Sequence, residues 1–268
     1  ELTPWTRSRS RPPSPTPGDS YVQSFARGLQ VICSFSAEAR AQTLTEVAAR
    51  TGLTRAGARR ILLTLQPLGY VESDGKLFTL TPRILDLGFA YLSSMPIWNL
   101  AEPVMEALAG EVQESCSAAV LDGHEIVYVL RVPHRKIMSV ALGIGSRLPA
   151  HCTSMGRMLL ANLDDEHALR LIKAAKPKAL TQRTLTDPQA ILDKVRQARK
   201  AGWCLVNQEL EEGLISVAAP LVNRSGRTVA ALNISGQANR TNAKTMQEQI
   251  LPALLSAAQS ISHLLQRQ

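Results

Sequence analysis

Arg55, Arg59 and Arg60 follow one another closely in TRAGARRILLTL, a segment whose apolar residues recur at helical spacing. At about 100° per residue, Ala58, Ile61, Leu62 and Leu65 share one face, and Ala56, Arg59, Arg60 and Leu63 fall opposite. Guanidinium groups among small residues on an exposed helix suit a DNA major groove, where arginine reaches guanine edges or phosphates. Ordinary solvated helix faces carry such charges too, so the surroundings of this helix decide between the two.

Those surroundings form an ordered series. Thr43 and Glu46 have the spacing of a capping box, which starts a short helix with Leu44, Val47 and Ala48 on its apolar side. Gly52 ends that helix, and Thr54 is a ready N-cap for the next, predicted from Arg55 to about Gln66, where Pro67 stops it. Tyr70–Glu72 and Leu77–Leu80 read as strands joined by Ser73-Asp74-Gly75-Lys76, a turn containing a residue pair that hairpins favour. Upstream, SFARGLQVICSFS (24–36) reads as a first helix, with Phe25, Leu29, Ile32 and Phe35 directed inward. Helix, tight turn, arginine-bearing helix and hairpin in this order describe a winged helix-turn-helix. Its DNA-binding set is Arg27, Thr54, Arg55, Arg59, Arg60 and Lys76, the last at the tip of the wing, and its partner is double-stranded operator DNA.

Charge agrees with a polyanion partner. The 268 residues carry a net charge of +8. Between Glu1 and Arg83, eleven positive residues face six negative ones, so +5 of that excess lies in the first third. The length suits two domains. Residues 1–20 are rich in Pro, Ser and Arg and read as a disordered basic arm. Residues 21–81 form the DNA-binding domain and 82–95 a linker helix, with the Thr81 hydroxyl as N-cap and Pro82 in its first turn. Ile84, Leu85, Leu87, Tyr91 and Leu92 make that helix strongly apolar; the expected cover is its copy in a second subunit, since helix-turn-helix proteins read paired half-sites.

From 96 to 268, helix and strand signals alternate. Helices are expected from Asn99, as cap, to Glu114, and over 153–162, 164–174, 188–201 and 241–265. Strands are expected over 117–121, 125–132, 138–142, 203–207, 215–222 and 228–235. They predict an α+β class with a mostly antiparallel sheet flanked by helices. Cys33, Cys116, Cys152 and Cys204 form no CxxC pair, and the five histidines lack ligand spacing, so neither a disulfide framework, a required metal nor a cofactor is expected. No apolar run approaches the roughly 18 residues of a membrane span, and no signal-peptide core is evident, so a cytoplasmic location is expected. The chain begins with Glu1 rather than Met, so the true start is expected elsewhere. His151 beside Cys152 invites a nucleophile and base, but no orienting acid is evident. The acidic run Glu209, Glu211 and Glu212 reads as a solvated or inter-domain loop rather than paired catalytic carboxylates.

SFARGL, the helix-turn-helix, LPAHCTSMGR (148–157), GWCLVNQELEEGLISVAAPL (202–221) and ALNISG (231–236) together resemble the IclR family of bacterial transcription regulators. Within it, YLSS and QELEEGL are most similar to the branch of PcaR, PcaU and PobR, regulators of aromatic-acid breakdown. The resemblance implies a C-terminal GAF-like α/β effector-binding and oligomerisation domain whose pocket takes in Ser154, Met155, Asn207, Ser216, Asn233 and Ser235. Relatives often have Asp where this chain has Asn207, which removes a carboxylate near the pocket. A Thr153 or Ser154 helix cap, with hydroxyl and amide groups at the other positions and Met155 over a ring, suits a carboxylate.

These readings predict a non-enzymatic, ligand-responsive regulator of a catabolic operon that works as a homodimer or a dimer of dimers. Its effector is a protocatechuate, 4-hydroxybenzoate, phthalate-type or β-ketoadipate carboxylate. RNA polymerase joins the partners if the regulator activates. The alternatives are an enzyme acting on small acids with a DNA-binding appendage, and a constitutive DNA-binding protein without effector.

Overall fold

The computed structural model describes residues 21–94, 97–134 and 142–267, which fall into two compact units, one up to Ser94 and one from Ile97 onward. The arm expected over 1–20 and most of the strand expected over 138–142 lie outside the described residues.

In the first unit, α1 (Gln23–Ile32), α2 (Leu44–Thr51) and α3 (Arg55–Leu65) enclose a small core of Val31, Val47, Ala48, Ala58, Leu62 and Leu65. The capping box forms: Glu46 N–H donates to Thr43 Oγ1 and Thr43 N–H to Glu46 Oε2 at 2.7 Å. That geometry holds the Glu46 carboxyl below its usual pKa. Gly52 closes α2 at φ +68°, a left-handed position that costs glycine least. The helical spacing of 24–36 is only partly a core face. α1 ends at Ile32, Phe35 is buried from the turn beyond it, and Phe25 and Leu29 face solvent in the isolated chain, with Val31 as the buried helical residue.

The wing holds one strand more than its hairpin. β2 (Val71–Ser73) and β3 (Leu77–Leu80) pair antiparallel, and β1 (Ala41–Thr43), unforeseen in the sequence, pairs with the other edge of β3. Thr81 does not cap the linker helix. Its hydroxyl donates to the Gly69 carbonyl, tying the wing's exit to the end of the helix-turn-helix, and Pro82–Ile84 form a 3-10 turn before α4 (Leu85–Ser93).

The second unit begins with α5 (Ile97–Val112), so Asn99 is inside the helix rather than its cap. A six-stranded antiparallel sheet follows in the order β6-β5-β4-β9-β8-β7: β4 (Ser115–Asp122), β5 (Glu125–Val132), β6 (Arg147–Pro149), β7 (Cys204–Asn207), β8 (Leu214–Val222) and β9 (Thr228–Gln237). Strand alternation sends Ser216, Ala218, Ala231, Asn233 and Ser235 to the side packed by α6 (Ser154–Leu160), α7 (Asp165–Ala175) and α8 (Pro188–Ala201). Val217, Ala219, Leu232 and Ile234 face the other way, where α5 and the C-terminal helix pack. The closing helix is not continuous. α9 (Ala243–Thr245) leads into a π turn over Met246–Ile250 and then α10 (Leu251–Gln266), because Pro252 lacks the N–H that would continue the regular ladder.

Candidate functional site

The outer side of α3 carries the first candidate surface. Thr54 caps the helix by accepting from Gly57 N–H at 3.1 Å, and Arg55, Arg59 and Arg60 are exposed with no carboxylate partner among the described residues. At the wing tip, Asp74 Oδ1 accepts from Lys76 N–H at 2.9 Å and Leu77 N–H at 2.8 Å, while Gly75 takes φ +97°. These backbone bonds hold the Asp74 carboxyl below its usual pKa, with a smaller contribution from the Lys76 charge, and tie it to the loop backbone beside the exposed Lys76 ammonium. Arg27 is exposed on α1, which is anchored to α2 by Gln30 Nε2 donating to Thr51 O at 2.6 Å. Arg83 stacks over the Tyr70 ring at 5.6 Å and braces the wing from the linker side. Unpaired cations on an exposed helix, beside a hairpin that presents another, can neutralise phosphates and reach base edges.

The second candidate is a narrow recess in the C-terminal unit, about 500 Å³ counted with its mouth, between the sheet and the start of α6. Ser154, Met155, Ser216, Asn233 and Ser235 all line it. Thr153 takes the cap of α6, accepting from Gly156 N–H at 3.2 Å, which leaves Ser154 Oγ to pair with Ser216 Oγ at 2.9 Å. Asn233 is buried on β9, its Nδ2 donating to Ser235 Oγ at 3.0 Å and its Oδ1 without a partner. Asn207 is not on this wall. Val206 pairs with Ser216 across β7 and β8 and faces the recess, so alternation turns Asn207 away.

Besides apolar residues, two lining residues that could bond a ligand went unremarked in the sequence, Tyr128 and Arg131 on β5. Three positions apart, they share a side because the pairing of β4 with β5 slips between Ala118 and Ala119, leaving Val129 as a bulge that re-aims the strand. Arg131 Nη1 donates to Ser117 Oγ at 3.2 Å, which leaves most of its donor fork unused. Burial pushes the Tyr128 hydroxyl up to about 12, so it stays a neutral donor. The available signal was a lone arginine in the otherwise uncharged run IVYVLRV.

Beneath the recess, Arg157 is buried, its Nε donating to His151 O at 2.8 Å and its fork gripping both oxygens of Glu209. Glu209 is thus a structural counter-ion rather than part of a solvated acidic run. Thr181 and Thr184 donate to the Gln208 and Glu209 carbonyls at 2.6 Å each, holding the 208–213 loop against the body. The neighbours His151 and Cys152 are unsuited to nucleophilic chemistry. Burial, then the Arg157 charge, depresses His151 to about 4, and burial pushes the Cys152 thiol up to about 12. No cluster of three metal-ligating side chains occurs among the described residues, and none of their helices is long and apolar enough to cross a membrane.

Comparison with known proteins bears on both surfaces. Residues 24–75 match the IclR helix-turn-helix domain model and residues 89–263 the bacterial transcriptional regulator IclR C-terminal model. The Pca regulon regulatory protein of Pseudomonas putida is 42% identical over 244 residues, covering 91% of this chain and 84% of that protein. A crystal structure from Rhodococcus sp. RHA1 aligns at TM-score 0.81 and 46% identity over 91% of this chain and 98% of the other. An IclR homologue of Microbacterium hydrocarbonoxydans, solved in complex with 4-hydroxybenzoate, aligns at TM-score 0.78 and 25% identity over 90% of this chain and 98% of the other.

Proposed function

The chain belongs to the IclR family of bacterial transcription regulators, and we propose that it controls an operon for aromatic-acid breakdown by binding operator DNA under the influence of a small carboxylate. Arg131 carries this reading. A guanidinium with free donors, set in a recess also lined by the Tyr128 phenol, serine and threonine hydroxyls, an amide, Met155, Cys152, Val206 and leucines, matches a ligand with a carboxylate and an apolar ring. The 4-hydroxybenzoate held by the Microbacterium homologue has that chemistry. Binding rather than turnover of the ligand is supported by the relatives being transcription regulators and by the His151-Cys152 pair offering neither a ready base nor a thiolate.

DNA is engaged through Thr54, Arg55, Arg59 and Arg60 on α3, with Lys76 on the wing and Arg27 on α1 at phosphates. Two copies present two α3 helices to paired half-sites. The exposed Leu85, Leu87, Phe89 and Tyr91 of α4, together with Phe25 of α1, supply the apolar surface that a second copy covers. An effector that binds one arrangement of the assembled heads better than another shifts the balance between them by its differential affinity. Such a regulator works where the chromosome is, in the cytoplasm.

A thermal-shift panel of protocatechuate, 4-hydroxybenzoate, the phthalate isomers and β-ketoadipate tests the proposal, because a ligand confined to the folded state raises its stability. A rise in melting temperature with an aromatic acid is expected, and its loss in Ser154→Trp, where an indole fills the recess. Indifference to every acid overturns the effector reading.

A further inference from the structure

The chain passes from α3 to α4 through a series of fixed points. After α3, Gly69 N–H donates to Gln66 O at 2.9 Å and Tyr70 N–H to Leu65 O at 3.0 Å, which fastens the following turn to the helix. Thr81, leaving the wing beyond β3, is bonded twice to that turn: its N–H donates to Tyr70 O at 3.0 Å and its hydroxyl to Gly69 O. Two residues on, the Arg83 guanidinium lies over the Tyr70 ring at 5.6 Å. Gly69, at φ +77°, leaves room for it, since a Cβ there would stand 3.3 Å from Arg83 Nη1. Pro82 fixes φ between the two side chains, and the turn Pro82–Ile84 runs into α4 without a loop.

This stiffness matters because α4 begins where the exposed apolar surface begins, at Leu85. With α4 held against its copy, the angle between α4 and α3 sets both the separation and the relative rotation of the two α3 helices. DNA answers sharply to that angle. At about 10–10.5 base pairs per turn, each added base pair rotates one half-site by roughly 35° against the other and moves it by about 3.4 Å.

Resting on the two-copy reading above, we infer that Thr81 and Arg83 are positioning residues for operator recognition, which lock α3 to α4 and so set the half-site spacing that the assembled pair accepts. Neither belongs to the DNA-contacting set. A rigid arm concentrates affinity at one spacing. A slack arm spreads it over several and lowers the peak, because the effective concentration of the second head at its half-site falls.

Gel-shift titration of the full chain tests this with a duplex selected from a random library by the wild type. That duplex is rebuilt as a single half-site, as the selected pair, and as pairs with one or two base pairs inserted or removed. Wild type is expected to lose about ten-fold or more in affinity when two base pairs are inserted. Thr81→Val combined with Arg83→Ala is expected to bind the single half-site within a factor of about two of wild type, yet to distinguish the spacings by less than about three-fold. Thr81→Ser combined with Arg83→Lys keeps a hydroxyl and a cation and is expected to regain most of the discrimination. Equal loss in both double variants overturns the role given to those two groups. A spacing preference undiminished in the first double variant overturns the assignment while leaving the two-copy reading intact. So does loss of its single half-site binding, which would place the two residues in the DNA contact or in the stability of the head itself. Wild type without any spacing preference overturns the two-copy reading and this assignment with it.

Discussion

Arg157 on α6 and Glu209, 52 residues later in the chain, meet as a two-pronged ion pair, Nη1 to Oε1 at 2.7 Å, with the arginine side chain 2% exposed and the glutamate 13%. The pair holds the loop that contributes Leu210 to the recess and leads into β8 at Leu214. Removing one partner strands the other charge in a dry environment, and such losses cost about 3–5 kcal/mol. Glu209→Ala is therefore expected to lower the urea midpoint steeply. The double variant Arg157→Met with Glu209→Leu is expected to recover much of that loss, because no buried charge is left alone. Equal denaturation midpoints for Glu209→Ala and wild type would refute the pair's structural role.

What the sequence disclosed follows the range of the interactions involved. The Thr43–Glu46 box, the Gly52 stop, the Thr54 cap and the Asp74-Gly75 turn are settled within a few residues, and all stand as read. Phe25 and Leu29 have core spacing but are exposed, since periodicity marks a face to be covered without saying whether this chain covers it. β1 is three residues long and exists only through pairing with β3, so no local signal announces it. Of the pocket residues named by resemblance, five line the recess; Asn207 fails because a single step along a strand reverses the side chain. Arg131 was missed because its orientation depends on a bulge at Val129 that arises between strands.

On the α3 surface, Arg59→Ala removes one exposed guanidinium without touching the buried Ala58 and Leu62 beside it. A weakening of operator binding by about 1–3 kcal/mol is expected if Arg59 reads a base, with specificity relaxed at one position. If it meets phosphate, the loss is similar on all sequences and the salt dependence becomes shallower by about one counterion. Ligand-induced stabilisation is expected to stay as in wild type. Gel-shift titrations at several salt concentrations measure both quantities, and unchanged affinity would remove Arg59 from the interface.

Gly156, in the first turn of α6, admits no side chain. A Cβ placed there would lie 2.2 Å from the Ala150 carbonyl oxygen and 2.3 Å from its Cα, and backbone cannot swing aside as a flexible side chain does. Gly156→Ala normally favours a helix, so the usual propensity gain and the clash have opposite signs. The clash wins, because relieving it requires the start of α6 to move away from the 150–153 turn that carries Thr153. The variant is expected to lose at least the roughly 1–3 kcal/mol typical of overpacking, and to bind the effector more weakly, since Ser154 and Met155 move with the turn. Chemical denaturation and ligand titration of the same preparation check both effects.

His151 makes stability depend on pH with a sign that can be worked out. Both of its ring nitrogens are buried without partners, and burial together with the nearby Arg157 charge depresses it to about 4 from an ordinary 6.5. Between those values the unfolded chain binds a proton at this ring and the folded chain does not, so acid favours unfolding. The contribution is fully present above about pH 6.5 and is lost as pH falls toward 4, with a limiting slope of about 1.4 kcal/mol per pH unit. Below 4 both states are protonated and this slope vanishes. His151→Phe keeps an aromatic ring in the site but cannot titrate. It is expected to flatten the pH dependence of the denaturation midpoint between 4 and 6.5 while leaving other acid-sensitive groups, such as the Asp165 carboxylate bound by Arg196 and Arg199, to act as in wild type. Identical slopes for the two proteins in that window would show that His151 is not kept neutral by the fold.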